Sequence, residues 1–218
     1  EAAMRDYLGR IDRARPVECA VAIANPVIGD QVSMTNHHWS FSISALRASM
    51  AFERLEVLND FTALALALPG LQPQELRQVG GTRVLAGAAK ALLGPGTGLG
   101  VSGLVPDGHG GWIPLQGEGG HVSLAPATPR ELVVVEALTR RYGHASAERA
   151  VSGMGLVDVH LALCEADGEL LAEPWSAARI SEATLSGQDA RCAEALSMMC
   201  AFLGSVAGNL ALTLGAKG

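Results

Sequence analysis

Val17 to Ala24 is a nearly continuous apolar run of small and β-branched residues, the pattern of a strand covered on both faces. A sheet that carries such a strand needs a layer on each side, and helices are the usual cover. A second short strand, Leu55-Glu56-Val57-Leu58, runs straight into Asn59-Asp60 and then into a helix from Phe61 to Leu68, which Pro69-Gly70 stops. Strand and helix joined without a linker again indicate an α/β architecture. Composition agrees: hydrophobic residues make up 49% and aromatics only 4%, with 26 glycines, which suits an alanine- and leucine-rich α/β protein better than an aromatic-rich β-sandwich. With 218 residues the chain has enough surface to bury a core in one large domain or two small ones. The break at Pro69-Gly70-Leu71-Gln72-Pro73 favours two, residues 1–70 and 71–218.

Along the chain, residues 1 to about 14 read as a helix that Pro16 ends. Gln31 to Thr35 alternates like a strand, and Ser42 caps a short helix ending near Phe52. Beyond the break come a short helix near Pro73 to Gln78, a strand at Ala88 to Leu93, another through Val105, a hairpin at Asp107-Gly108, and Trp112 to Leu115. The remainder is helical: Thr128-Pro129 to Tyr142, a turn from Ser146, then Leu156 to Ala166, Ser176 to Leu185 and Gln188 to Leu214. Leu196 to Leu214 is uncharged and long enough to span a membrane. Its large residues recur as Leu196, Met199, Leu203, Val206, Leu210 and Leu214, a helical spacing that favours a helix buried in a soluble core. The net charge of −6 without a Lys/Arg cluster argues against nucleic acid or an anionic membrane as partner. Cys19, Cys164, Cys192 and Cys200 are scattered, as expected of free thiols in a cytoplasmic protein.

Three places carry polar groups suited to chemistry. Gln116-Gly117-Glu118-Gly119-Gly120-His121 sets one carboxylate and one imidazole among glycines, which permit close backbone approach; an ordinary turn has the same composition. Asn59 and Asp60 sit where a strand meets a helix, the end of an open sheet at which ligands bind, although aspartate is also a common helix cap. Gly94-Pro95-Gly96-Thr97-Gly98-Leu99-Gly100 can aim unblocked N–H groups and a hydroxyl at a phosphate, or simply form a hairpin turn. It is no Walker A loop, since Lys90 precedes the glycines and no Lys-Ser/Thr follows them. Glu148, beside Arg149, reads by itself as an exposed ion-paired residue. His37-His38 has no third ligand nearby in sequence, so no metal site is assigned. Together, Asp60, the Gly96–Gly98 loop, Glu118 and His121 supply what a sugar phosphotransferase needs: a base for the attacking hydroxyl, donors for the moving phosphoryl and partners for sugar hydroxyls.

Asn59-Asp60-Phe61-Thr62-Ala63, Gly94 through Gly100, Gly117-Glu118-Gly119-Gly120-His121 and Ser146-Ala147-Glu148-Arg149 resemble the successive signatures of bacterial ATP-dependent glucokinases, in the hexokinase/actin-like ATPase superfamily. Asn25-Pro26, Gly29-Asp30, Met34-Thr35-Asn36 and Trp39 follow the same pattern, and the likeness runs the length of the chain. The resemblance implies a two-domain, ribonuclease H-like α/β fold and transfer of the γ-phosphoryl of ATP to the 6-hydroxyl of glucose, with Mg2+. It implies Asp60 as the base, Asn59, Glu118, His121 and Glu148 as sugar contacts, and Gly96, Thr97 and Gly98 along the nucleotide phosphates. A homodimer is implied as well. The family's Asp-x-Gly-Gly-Thr-Asn motif does not precede Glu1, and its strand and glycine pair do not follow the last helix, so an internal segment is expected. The alternatives are a non-catalytic sugar-binding module and a kinase for another hexose; absence of cysteine from Val122 to Leu163 separates the chain from the zinc-binding repressor/kinase group.

Overall fold

The computed structural model describes residues 1–11, 16–34, 38–81, 84–169 and 171–217. Thr35, Asn36, His37 and residues 12–14 of the expected first helix lie outside them; within the described residues that helix stops at Gly9, with Arg10 as its C-cap, short of the expected end near residue 14. The chain divides into two compact units, Glu1–Glu75 and Leu76–Gly218.

The first unit contains helix α1 (Ala2–Gly9), strands β1 (Glu18–Ile23), β2 (Gln31–Ser33) and β3 (Ser40–Ser42), helix α2 (Ile43–Met50), strand β4 (Arg54–Asn59) and helix α3 (Asp60–Ala67). β1 and β4 pair in parallel, from Glu18 opposite Arg54 to Ile23 opposite Asn59; β2 and β3 form an antiparallel hairpin. Ser42 caps α2 as its sequence indicates, its Oγ accepting from Ala45 N–H at 3.1 Å. Val32, Leu46, Met50, Phe52, Leu55 and Val57 form the core, with Cys19, Val21 and Ile23 packed against it. Exposure alternates along β1, so Glu18, Ala20 and Ala22 stay in solvent. Among the described residues the expected two-sided cover is therefore absent from this strand. Alanine has little side-chain area to gain from burial, so an alanine-rich run tolerates cover without requiring it.

The second unit begins with an antiparallel sheet of β5 (Lys90–Pro95), β6 (Leu99–Pro106) and β7 (Trp112–Leu115) in that order. Helices α4 (Pro129–Tyr142), α5 (Gly153–Ala166), α6 (Ala177–Leu185) and α7 (Ala190–Leu214) follow. Each is started by a side chain that accepts a first-turn N–H: Thr128 from Glu131, Ser152 from Gly155, Ser176 from Arg179 and Asp189 from Cys192. Such caps satisfy donors that the helix itself leaves free. The buried ridge of α7 is Cys192, Ala195, Met198, Phe202 and Val206, joined to one core with Val134, Leu138, Val159, Leu163 and Ile180. Leu196, Met199, Leu203, Leu210 and Leu214 are only half-buried, which corrects the expectation that they form the buried stripe. A ridge displaced by a residue or two turns the helix face by a large fraction of a revolution, and both candidate stripes here are apolar. Among the described residues α7 is the one helix long and apolar enough to cross a membrane.

Candidate active site

Asn59 and Asp60 close the parallel strand β4 and open α3. Asn59 is the cap: its Oδ1 accepts from Phe61 N–H at 2.9 Å and Thr62 N–H at 3.2 Å. Asp60 takes the first helical position, its carboxylate exposed and touched only through Oδ1 by the same Phe61 N–H at 2.9 Å. The helix start therefore uses Asn59, and the carboxylate beside it keeps Oδ2 free among the described residues. Asn25, at the end of neighbouring β1, is 7% exposed and donates from Nδ2 to Ser33 C=O at 2.9 Å, tying the β1 exit to the hairpin.

The other candidates belong to the second unit. Gly96, Thr97 and Gly98 connect β5 to β6 at the Pro95–Leu99 pair, and Gly96 N–H donates to Gly98 C=O at 2.7 Å. The glycine loop is thus a three-residue hairpin turn whatever else it binds. Gly153 N–H, at the start of α5, donates to Gly96 C=O at 2.9 Å. Leu99 N–H donates to Glu148 Oε2 at 3.2 Å. Glu148 is half-buried on a single 3-10 turn, Ala147–Arg149, whose Arg149 lies 4.1 Å over the Tyr142 ring and does not pair with it. This differs from the exposed, ion-paired reading of Glu148.

Gly119–His121 forms another 3-10 turn. A short ladder joins it to the Glu148 turn: Ala147 N–H donates to Val122 C=O at 2.8 Å and Leu124 N–H to Ala145 C=O at 2.9 Å. Glu118 and His121 are both exposed, with Oε2 and Nε2 3.9 Å apart. The reason for the glycines is also visible. A Cβ on Gly120 would fall on the backbone carbonyl of Leu99, and one on Gly119 would stand 2.7 Å from Val101. These two glycines let the turn lie flat on β6. Gly117 has nothing within 4 Å of the position a Cβ would take and, of these three glycines, is the one with open space beside it. The expectation that all three admit a ligand is therefore corrected for Gly119 and Gly120.

A family model described as "Glucokinase" matches residues 1–218. The chain belongs to the glucokinase family. Among curated members, the glucokinase of Chromobacterium violaceum is 56% identical over 218 residues, covering 100% of this chain and 62% of that protein. The chain thus spans about three-fifths of that relative's length. A solved glucokinase from an Antarctic psychrotroph superposes with a TM-score of 0.89 at 34% identity, covering 100% of this chain and 67% of that one. The fold also matches a Balamuthia mandrillaris glucokinase in complex with glucose, with a TM-score of 0.70 at 23% identity, covering 99% and 64%. The fold of this glucokinase-family chain is accordingly the actin-like ATPase α/β fold.

In the second unit the Gly96–Gly98 turn touches Glu148 through Leu99 N–H, and the turn carrying Glu118 and His121 is joined to the Glu148 turn through the main chain of Val122 and Ala147, while Asn59 and Asp60 sit at the strand end of the first unit. Sequence reasoning missed Ser152 and Gly153, which hold the glycine turn, because it began the helix at Leu156. The signal was present: a serine ahead of an apolar helical run is a favoured cap.

Proposed function

We propose that the protein of which this chain forms the described part is a sugar kinase that transfers the γ-phosphoryl group of ATP to the 6-hydroxyl of glucose. The observation that carries this reading is the exposed carboxylate of Asp60 at the end of a parallel strand, whose Oδ2 has no partner among the described residues while Asn59 caps the helix. Asp60 takes the proton of the 6-hydroxyl as that oxygen attacks the γ-phosphorus and the β–γ bond breaks, releasing ADP. Asn59 Nδ2, whose oxygen is already held by the helix start, offers a donor to the sugar. Glu118, His121 and Glu148 bind ring hydroxyls, each of which both donates and accepts. The backbone and Thr97 hydroxyl of the Gly96–Gly98 turn face the nucleotide phosphates. A loose phosphoryl transition state gains most from positioning and charge neutralisation, so a carboxylate in solvent suffices as the base.

Magnesium enters with ATP in this reading. No group of three or more His, Cys, Asp or Glu side chains that could hold a metal stands together among the described residues; a nucleotide-borne Mg2+ needs only one or two protein carboxylates. The reading also carries a cytoplasmic location and a homodimer, the latter checked by sedimentation of the full-length protein. The deciding experiment is glucose-dependent ADP release by that protein and its Asp60→Asn variant. Loss of a general base predicts a fall in turnover of about 10²–10⁴-fold, with glucose KM little changed. Near-normal turnover in the variant removes Asp60 from the mechanism; glucose binding without ADP release by the unmutated protein leaves a sugar-binding module instead.

A further inference from the structure

Gly98 has an ordinary backbone angle, unlike the positive-φ glycines elsewhere in the chain, so conformation does not explain the absence of a side chain there. Space does. The position a Cβ would take is filled by Oε2 of Glu148, with its carboxyl carbon 3.0 Å from that position. The same oxygen accepts from Leu99 N–H at 3.2 Å. The main chain of Glu148 is fixed too, because its C=O accepts from Ser152 Oγ at 2.8 Å, and Ser152 starts the helix whose first N–H, that of Gly153, holds Gly96 C=O. Both ends of the Gly96–Gly98 turn are therefore gripped by the segment 148–153: Gly96 by a main-chain donor and Leu99 by the Glu148 carboxylate. Glu148 Oε1 has no hydrogen-bond partner among the described residues. A carboxylate has acceptor sites on both oxygens, so one side chain can serve two directions.

We propose that Glu148 is a positioning residue for the nucleotide turn as well as a sugar contact: Oε2 fixes the turn through Leu99 N–H, Oε1 serves the acceptor, and the two subsites are coupled through this one carboxylate. The proposal rests on the sugar-kinase reading for what each subsite binds, while the contact itself is independent of it. Because the atom in the way of a Gly98 side chain is the far end of a flexible side chain, Gly98→Ala folds and pushes the carboxylate aside.

The test is a double-mutant cycle in the full-length protein, with KM for glucose, KM for ATP and kcat measured for Gly98→Ala, Glu148→Ala, Glu148→Gln and the Gly98→Ala/Glu148→Ala pair. Although it lies on the nucleotide turn, Gly98→Ala raises KM for glucose about tenfold, the scale of one displaced charged hydrogen bond. In the Glu148→Ala background the same change alters it by about twofold or less, because the pair is coupled only through direct contact. Glu148→Gln, whose amide oxygen still accepts from Leu99 N–H, keeps KM for ATP near the unmutated value, whereas Glu148→Ala raises it. Equal effects of Gly98→Ala in both backgrounds, confined to ATP, overturn the proposal. The Leu99 amide proton resonance, read without substrates, shifts upfield in Glu148→Ala; an unmoved resonance overturns the contact whether or not the protein phosphorylates glucose. Absent phosphorylation with a shifted resonance counts against the sugar-kinase reading and in favour of the contact.

Discussion

Gly120→Ala is the sharpest probe of why the turn before His121 is built from glycines. Gly120 is buried and its backbone angle is one that alanine accepts, so the substitution should otherwise stabilise by about 0.4–1 kcal/mol through the unfolded chain. Against that stands the Leu99 carbonyl, a backbone atom of β6 that occupies the Cβ position. Restoring ordinary contact requires the turn and β6 to part by on the order of 1 Å. Overpacking of this kind costs about 1–3 kcal/mol, and here neither partner is a flexible side chain. At roughly 2–4 °C per kcal/mol for a chain of this size, thermal unfolding should come several degrees earlier. The displaced turn also carries His121, so on the proposed sugar-kinase reading glucose affinity falls with it. Gly117→Ala is the control: its Cβ enters open space, and stability stays within about 0.5 kcal/mol. Melting followed by circular dichroism, with a parallel glucose titration, reads both effects. If Gly120→Ala melts with the unmutated protein, the packing argument for that glycine is wrong; if Gly117→Ala is the less stable of the two, the assignment of roles within the turn is reversed.

Asn59→Asp keeps an acceptor for Phe61 and Thr62 N–H while removing the Nδ2 donor, so the melting temperature should hold and KM for glucose should rise; loss of stability with unchanged KM would confine Asn59 to capping. A pH effect is expected from His160, which is 2% exposed with Nε2 3.8 Å from Cys164 Sγ and 3.7 Å from Cys192 Sγ. Burial holds its pKa below the ordinary 6.5, Asp189 and Glu169 oppose that shift, and Arg191 reinforces it. The folded imidazole stays neutral where the unfolded one takes up a proton, so stability is full above about pH 6.5 and declines as pH falls below it. Asp189 and Glu194, whose pKa values are lowered, contribute their losses at lower pH still. Between pH 7 and 5 the melting temperature of His160→Met should vary less than that of the unmutated protein, and equal slopes would refute the assignment.

Much of this molecule was legible residue by residue. Ser42, Thr128 and Ser176 start helices because a hydroxyl next to a helical run captures a first-turn N–H, and Pro129 then sits where its missing donor costs nothing. The Asn59-Asp60 junction followed from an apolar strand abutting an apolar helix, and the glycine turns from glycine itself. These are local properties, set within a few residues of chain. Tertiary structure decided the rest. Glu148 meets Leu99 across 49 residues of sequence, and no spacing rule encodes such an encounter. Gly117 and Gly120 are the same residue three positions apart, yet one faces open space and the other a strand's carbonyl. Along α7, two overlapping apolar stripes satisfied the helical period, and the core formed with α4, α5 and α6 selected the one through Phe202. Periodicity says that a face will be buried; only the neighbouring surfaces, through the area each arrangement removes from water, decide which face it is.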